Sequence, residues 1–391
     1  MYRNILIFIF SLILGIGLFV VYSAFMDPPR HTASLERIVY EDTAFIPDQQ
    51  TGYRFRPNYQ KIKRYKGVVD GSEFEIITPV FQDHLGARVS GPDTLLPEKV
   101  DILSIGGSNT WGQGVRQEET FSAVFAQLMG NTERNFAISG VGGVSSYFQM
   151  KKNINLNPKW ILYGFFEDHL NRNLRYCVNS GLLPCTPTPH VVLDSEKSPH
   201  FSLAENAEEQ FEILRNYLRT MHMDNGVTLG WRDLIWSFKR MLLSIDIFFH
   251  PEAYNGATEQ QKMEAAIFVH GEMVRVAKEH GAGLIIVYIP SYSTEINPRP
   301  GVTGEINYAS ARLVEAVKKS GSIFVDTSAA LIGLRDSGEP IFIKGDGHLS
   351  VEAHKVIAKV IFEKLMEGSE NNQFAPPIAA PVEKFIRENL P

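Results

Sequence analysis

The strongest constraint on this chain is a rhythm. Between Val100 and Met366, short apolar runs alternate with stretches of helical length and pattern. Val100–Ile105, Asn135–Ile138, Trp160–Tyr163, Leu284–Ile289 and Ile323–Val325 read as strands. Glu119–Met129, Ser145–Ile154, Gln261–His280, Tyr308–Lys319 and Val351–Met366 read as helices. Strands alternating with helices of this length imply a parallel sheet covered on both faces. Leu284–Ile289 is apolar throughout, as a strand buried on both faces must be. The expected fold is therefore an α/β three-layer α/β/α sandwich over 100–367. No period repeats along the chain, which argues against a solenoid or propeller.

The flanks are of a different kind. Ile5–Met26 carries no charge and is mostly Ile, Leu, Phe and Val, with Arg3 before it and Pro28-Pro29 after it. About 20 apolar residues span a bilayer as a helix, and a preceding Arg favours a cytoplasmic N-terminus. Residues 1–27 are expected to be a transmembrane anchor, with the rest of the chain extracytoplasmic. A cleaved signal peptide fits less well, because the run is long and Ser23-Ala24-Phe25-Met26 offers no small-x-small site. Residues 28–99 read as a linker and a small β-rich lead-in, with strand-like Tyr53–Pro57 and Phe74–Ile77. The interruption at about 174–258 is too long for a loop. Its later part, Trp231–Phe249, mixes aromatic and aliphatic residues with charges and reads as an amphipathic helical cap or as a helix on the domain core. Residues 368–391 read as a flexible tail.

The net charge of −6 excludes a basic field for nucleic acid. Cys177 and Cys185 bracket a short loop, and outside the cytoplasm such a pair is expected to close as a disulfide. Two thiols are too few for a structural zinc site. No cluster has metal-ligand spacing and no phosphate-cradling loop is present, so no cofactor is expected.

Two segments carry chemistry. In Ile102-Leu103-Ser104-Ile105-Gly106-Gly107-Ser108-Asn109, a strand ends in two glycines and Ser108 follows at its carboxyl edge, where open α/β sheets place ligands. Far downstream, Gly345-Asp346-Gly347-His348 precedes the last helix. Serine needs a base to become a nucleophile, and histidine held by a carboxylate supplies one. In an extended segment Asp346 and His348 share one side. His84 and His354 need no catalytic role.

Taken together, these residues resemble the SGNH (GDSL-like) hydrolases. Gly106-Gly107-Ser108-Asn109 stands where that family has Gly-Asp-Ser-x. Asn135–Gly140 resembles its second block, whose glycine amide helps form the oxyanion hole. Asp346 and His348 match its last block. The resemblance implies a flavodoxin-like sheet, Ser108 as nucleophile, His348 as base and Asp346 as its orienting acid. It also implies an oxyanion hole that includes the amides of Ser108 and Gly140. The third block departs from the pattern. In Gly164-Phe165-Phe166-Glu167-Asp168-His169-Leu170-Asn171-Arg172, Glu167 stands where the family has an Asn donor, and an ionised carboxylate cannot donate. Either Asn171 or another donor substitutes, or the hole rests on the two amides. Glu167, His169 and Arg172 either line the site, to bind an anionic or sugar substrate, or pair among themselves and with Asp168. The Asp-x-His spacing resembles the branch that acetylates exopolysaccharides, such as the alginate O-acetylation proteins. The expected activity is that of a serine esterase or O-acyltransferase on acylated carbohydrate or small esters. The alternative is a glycan-binding or assembly protein on the same scaffold.

Overall fold

The computed structural model describes residues 44–69, 72–94, 96–175, 177–178, 186–193, 198–209, 211–212, 257–290, 311–343 and 347–370. The expected anchor, Trp231–Phe249, the tail from 371, Cys185 and Asp346 lie outside the described residues. Among those described, no helix is long and apolar enough to cross a membrane.

The strands are β1 (Phe45–Asp48), β2 (Gly52–Phe55), β3 (Gln60–Val69), β4 (Ser72–Gln82), β5 (Arg88–Val89), β6 (Ile102–Gly106), β7 (Glu133–Asn135), β8 (Trp160–Phe166), β9 (Cys177–Val178), β10 (Thr186–Pro187), β11 (His190–Val192), β12 (His200–Ser202), β13 (Gly283–Ile289) and β14 (Ile323–Asp326). The α-helices are α1 (Ser108–Trp111), α2 (Phe121–Met129), α3 (Gly143–Asn153), α4 (His169–Arg172), α5 (Glu259–Glu279), α6 (Ala311–Lys319), α7 (Ser328–Asp336) and α8 (Val351–Glu370).

The central sheet runs β14-β13-β8-β6-β7-β5-β4-β3. Its first five strands are parallel. Numbered by their own order in the chain, those five run 5-4-3-1-2, the flavodoxin-like doubly wound order, whose switch point lies between the first and third strands. Here that crevice falls between β6 and β8. The remaining three strands, β5, β4 and β3, are antiparallel and continue the same sheet. The β-rich lead-in is thus joined to the main sheet by hydrogen bonds.

Period-two alternation explains the layers. From β8, Ile161, Tyr163 and Phe165 enter one core, and Trp160 and Leu162 enter the other. From β13, Leu284, Ile286 and Tyr288 oppose Ile285, Val287 and Ile289 in the same way. The first core is closed by α3, α5 and α6 through residues such as Val144, Val269 and Val317. The second is closed by α2, α7 and α8 through Phe125, Leu331 and Ile357. Each such side chain contributes about 1.5–3 kcal/mol on burial. At the start of α5, Thr258 Oγ1 accepts from the Gln261 amide (3.2 Å) while Gln261 Oε1 accepts from the Thr258 amide (2.8 Å). This reciprocal cap stops the helix from fraying.

The segment read as the amphipathic cap, Trp231–Phe249, lies outside the described residues, and the earlier part of the interruption is described only in pieces. Between 177 and 202 it forms short antiparallel pairs, β9 with β10 and β11 with β12. His190-Val191-Val192 alternates in burial, with Val191 buried against the first core. The expected disulfide requires Cys185 and so lies outside the described residues.

One close approach fixes where the sheet edge lies. Gly106 and Gly164 pair across β6 and β8. A methyl on Gly164 would lie 1.9 Å from Thr110 Oγ1, and one on Gly106 2.3 Å from the same atom. Gly164→Ala is therefore expected to cost about 1–3 kcal/mol through overpacking, measured as a lowered urea midpoint. Thr110→Ala introduced alongside should recover part of that loss. Equal stability of Gly164→Ala and wild type would contradict the packing.

Candidate active site

Ser108 is the first residue of α1 and follows the Gly106-Gly107 corner. Gly106 has φ +148°, a conformation L side chains rarely adopt. The helix lasts one turn. Gly112, at φ +82°, closes it with its amide on the Ser108 carbonyl (2.9 Å). Ser108 is half-buried, whereas Asn109, Thr110 and Trp111 are buried. Its hydroxyl has no hydrogen-bond partner among the described residues.

The second block reaches the same edge by prolonging the β7 pairing. The Phe136 amide donates to Ser104 O (2.8 Å) and the Ile138 amide to Gly106 O (2.9 Å). Ser139-Gly140 thus arrives beside the Gly107-Ser108 turn. The amides of Ser108 and Gly140 have no partner among the described residues.

The last block is brought in by an antiparallel turn. Phe342 bridges Leu349, the Ile343 amide donates to His348 O (2.9 Å), and the Ser350 amide to Ile341 O (2.8 Å). The buried Leu349 amide donates to Asn109 Oδ1 (3.2 Å) across 240 positions. His348 is half-buried beside that bond. Then α8 begins, its first turn capped by Ser350 Oγ on the Ala353 amide (3.1 Å). His354 has a packing role. It is fully buried, and its Nδ1 accepts from the Phe121 amide (3.0 Å) at the start of α2.

The third block follows β8. Asp168 gathers its neighbours: Asn171 Nδ2 donates to Oδ1 (3.0 Å) and Arg172 Nε to Oδ2 (2.7 Å). Arg172 Nη1 also donates to Val141 O (3.2 Å), which ties this block to the second. Arg172 is therefore paired with Asp168 at a half-exposed position, and the Asn171 amide group bonds Asp168. Glu167 is half-buried, with its backbone amide on Ile289 O (3.1 Å).

His169 is not at the mouth. It is fully buried, with Nδ1 2.8 Å from Tyr163 Oη and rings of Tyr163, Phe165 and Phe166 around it. Burial holds its pKa well below the usual histidine value, helped by Arg172 and His270. A methyl on Gly107 would lie 2.8 Å from its Nε2. The imidazole thus packs as a neutral, fully buried body behind the Gly107-Ser108 turn.

Sequence reasoning missed Arg88. It is 1% exposed and donates to the carbonyls of Trp111, Gly112 and Val115. Its guanidinium lies 4.4 Å from the Trp111 ring centroid. A fixed positive fork thereby satisfies the carbonyls at the end of α1. The one sequence signal was a charge inside the otherwise apolar Leu85–Val89. Among the described residues no group of His, Cys, Asp or Glu is placed to hold a metal ion.

No family model matches the chain, and no curated protein matches it. Solved structures do. A Corynascus thermopiles carbohydrate esterase family 2 enzyme with its carbohydrate-binding domain is 11% identical, over 85% of this chain and 98% of that one, with a TM-score of 0.37. Axe2, an acetylxylan esterase from Geobacillus stearothermophilus, is 14% identical over 68% and 93%, with a TM-score of 0.32. TesA is 11% identical over 68% and 98%, with a TM-score of 0.33. Within this chain itself, the serine follows the first parallel strand, the glycine the second, and the histidine precedes the last helix.

The interior histidines predict a pH response. Burial depresses His270 and His354 to about 3, and neither ring nitrogen of His270 has a hydrogen-bond partner among the described residues. Unfolded, each titrates near 6.5. The unfolded chain therefore binds more protons between those values, and stability present above about pH 6.5 is lost as pH falls toward 3. Urea midpoints should drop between pH 7.5 and pH 4.5, and His270→Leu should shrink the drop. An identical drop in the variant would refute the assignment for His270.

Proposed function

We propose that this chain is an SGNH-type serine acyl hydrolase or O-acyltransferase acting on acyl, chiefly acetyl, esters of cell-envelope or exported glycans. The observation that carries this reading is the Leu349–Asn109 hydrogen bond. It joins the segment bearing His348 to the residue after Ser108, which supports reading the two as partners at the switch point of the sheet. In such folds that is where ligands bind.

In the proposed reaction His348 takes the Ser108 proton as Oγ attacks the ester carbonyl. The amides of Ser108 and Gly140 receive the oxyanion. His348 then returns its proton to the departing alkoxide, leaving an acyl-serine. Water releases the acid, or a sugar hydroxyl accepts the acyl group. Asp346 orients His348 and stabilises the imidazolium. Arg172 and Glu167, half-exposed on the third block, border the approach of substrate. Asn171 and His169 are assigned no contact with it, given their partners. The glycan class is supported by the uncharged Ile5–Met26 run, which we read as an anchor holding the domain outside the cytoplasm.

A second reading, a glycan-binding protein on the same scaffold, is favoured by Glu167 at the family's Asn position. Kinetics separate the two. Ser108→Ala and His348→Ala should each remove nearly all hydrolysis of p-nitrophenyl acetate, to a similar extent, because the two act as a unit. Asp346→Asn should remove less. Retention on an acetylated glycan column should survive all three. Wild-type hydrolysis by Ser108→Ala would contradict the catalytic assignment. Glycan retention without hydrolysis or transfer by the wild type would favour the binding protein.

A further inference from the structure

The lead-in hairpin places a phenol against the second block. Tyr53, on β2, is fully buried, with Phe45 edge-on at 5.1 Å and Phe211 at 6.2 Å. Its Oη donates to Ser139 O at 2.8 Å, from 86 positions upstream. The hairpin is itself anchored. Ser145 Oγ, on α3, donates to Thr51 O (3.1 Å), and Lys152 pairs with Asp48 (2.6 Å). Burial pushes the Tyr53 hydroxyl pKa well up, so it stays a neutral donor.

The carbonyl it holds is half of one peptide group, and the other half is the Gly140 N–H. A trans peptide is planar, with its C=O and N–H pointing in opposite directions. Fixing Ser139 O therefore fixes the direction of the Gly140 amide, away from β2. A hydrogen bond to the carbonyl also polarises the same peptide and strengthens its N–H as a donor. Contact is close on the adjacent carbon as well. A methyl on Gly140 (φ +88°) would lie 2.6 Å from Tyr53 Oη, so only glycine sits beneath the phenol.

We propose that Tyr53 is the positioning residue of the oxyanion hole, aiming the Gly140 amide by holding the carbonyl of the same peptide. This rests on the acyl-transfer reading above. It makes the segment upstream of the parallel sheet a working part of the site. Tyr53 touches no reacting atom and acts through Gly140.

The test uses the full-length chain purified in mild detergent, with rates expressed per active site titrated by a fluorophosphonate. Tyr53→Phe should lower kcat for p-nitrophenyl acetate about 10-fold, less than the roughly 10²–10³-fold loss for deleting a whole oxyanion donor. KM should change little, because the ground-state carbonyl gains less from the hole than the oxyanion does. The inhibition constant of phenylboronic acid, whose tetrahedral adduct places an oxygen in the hole, should rise by the same factor as kcat/KM falls. Thr51→Val deletes another buried hydroxyl of the hairpin, the one bonded to Tyr53 O (2.9 Å), and should leave kcat unchanged. Unchanged kcat in Tyr53→Phe overturns the proposal, as does a fall in kcat with an unchanged boronate constant. An equal loss in Thr51→Val overturns it too, because the effect would then be general loosening. A wild type without Ser108-dependent hydrolysis overturns the catalytic reading and this proposal together. Ser108-dependent hydrolysis unaltered in Tyr53→Phe overturns this proposal alone.

Discussion

Everything at the carboxyl edge of the sheet depends on how closely β6 and β8 approach the turn that leaves β6. Gly106 faces Gly164 there, and Thr110 fills the space two side chains would have taken. The single-turn helix that begins with Ser108 can therefore lie directly on the strand ends. A short helix so placed leaves carbonyls with nowhere to go. Arg88 answers that need from β5, and Gly112 turns the chain away in the left-handed conformation. Leaving those buried carbonyls unpaired would cost about 1–3 kcal/mol each.

The interior behind the turn holds polar groups that are kept uncharged. His169 and His270 sit among Tyr163 and Phe165, and His354 stacks on Phe121. Each is depressed by burial. Arg88 has its carbonyls, and Arg134 lies 3.5 Å from Asp83, both nearly inaccessible. The half-buried imidazole at the sheet edge is His348. For the acyl transfer proposed above, that division would suit a site where negative charge builds at one point, because neutral donors can be aimed without drawing the ligand elsewhere.

Much of this was legible beforehand, for identifiable reasons. Buried parallel strands write themselves as apolar runs, so β6, β8 and β13 stood out. Ser108, Gly140 and His348 sit where backbone turns demand glycine and polar residues. What escaped depends on pairing between distant segments. Tyr53 and Arg88 have ordinary neighbours in sequence, and their partners lie 86 and 23 to 27 positions away. Glu133–Asn135 contains no apolar residue, so β7 appeared shifted toward Asn135–Ile138, which in fact pairs on as an extension. The helix Ser328–Asp336 was passed over because it buries little that is apolar, Ser328 and Leu331 being its buried residues. Between 177 and 202 the residues after β8 form short hairpins, which their mixed, turn-rich sequence did not announce, while the segment read as a helical cap lies outside the described residues.

The central claim is that Ser108 is a nucleophile activated from the His348 loop. Mass-spectrometric mapping of a fluorophosphonate adduct on the full-length chain addresses it directly. The account predicts a single modified peptide containing Ser108, with labelling abolished in Ser108→Ala and strongly slowed in His348→Ala. Labelling at another serine, or equal labelling of Ser108 in the presence and absence of the His348 imidazole, would contradict it.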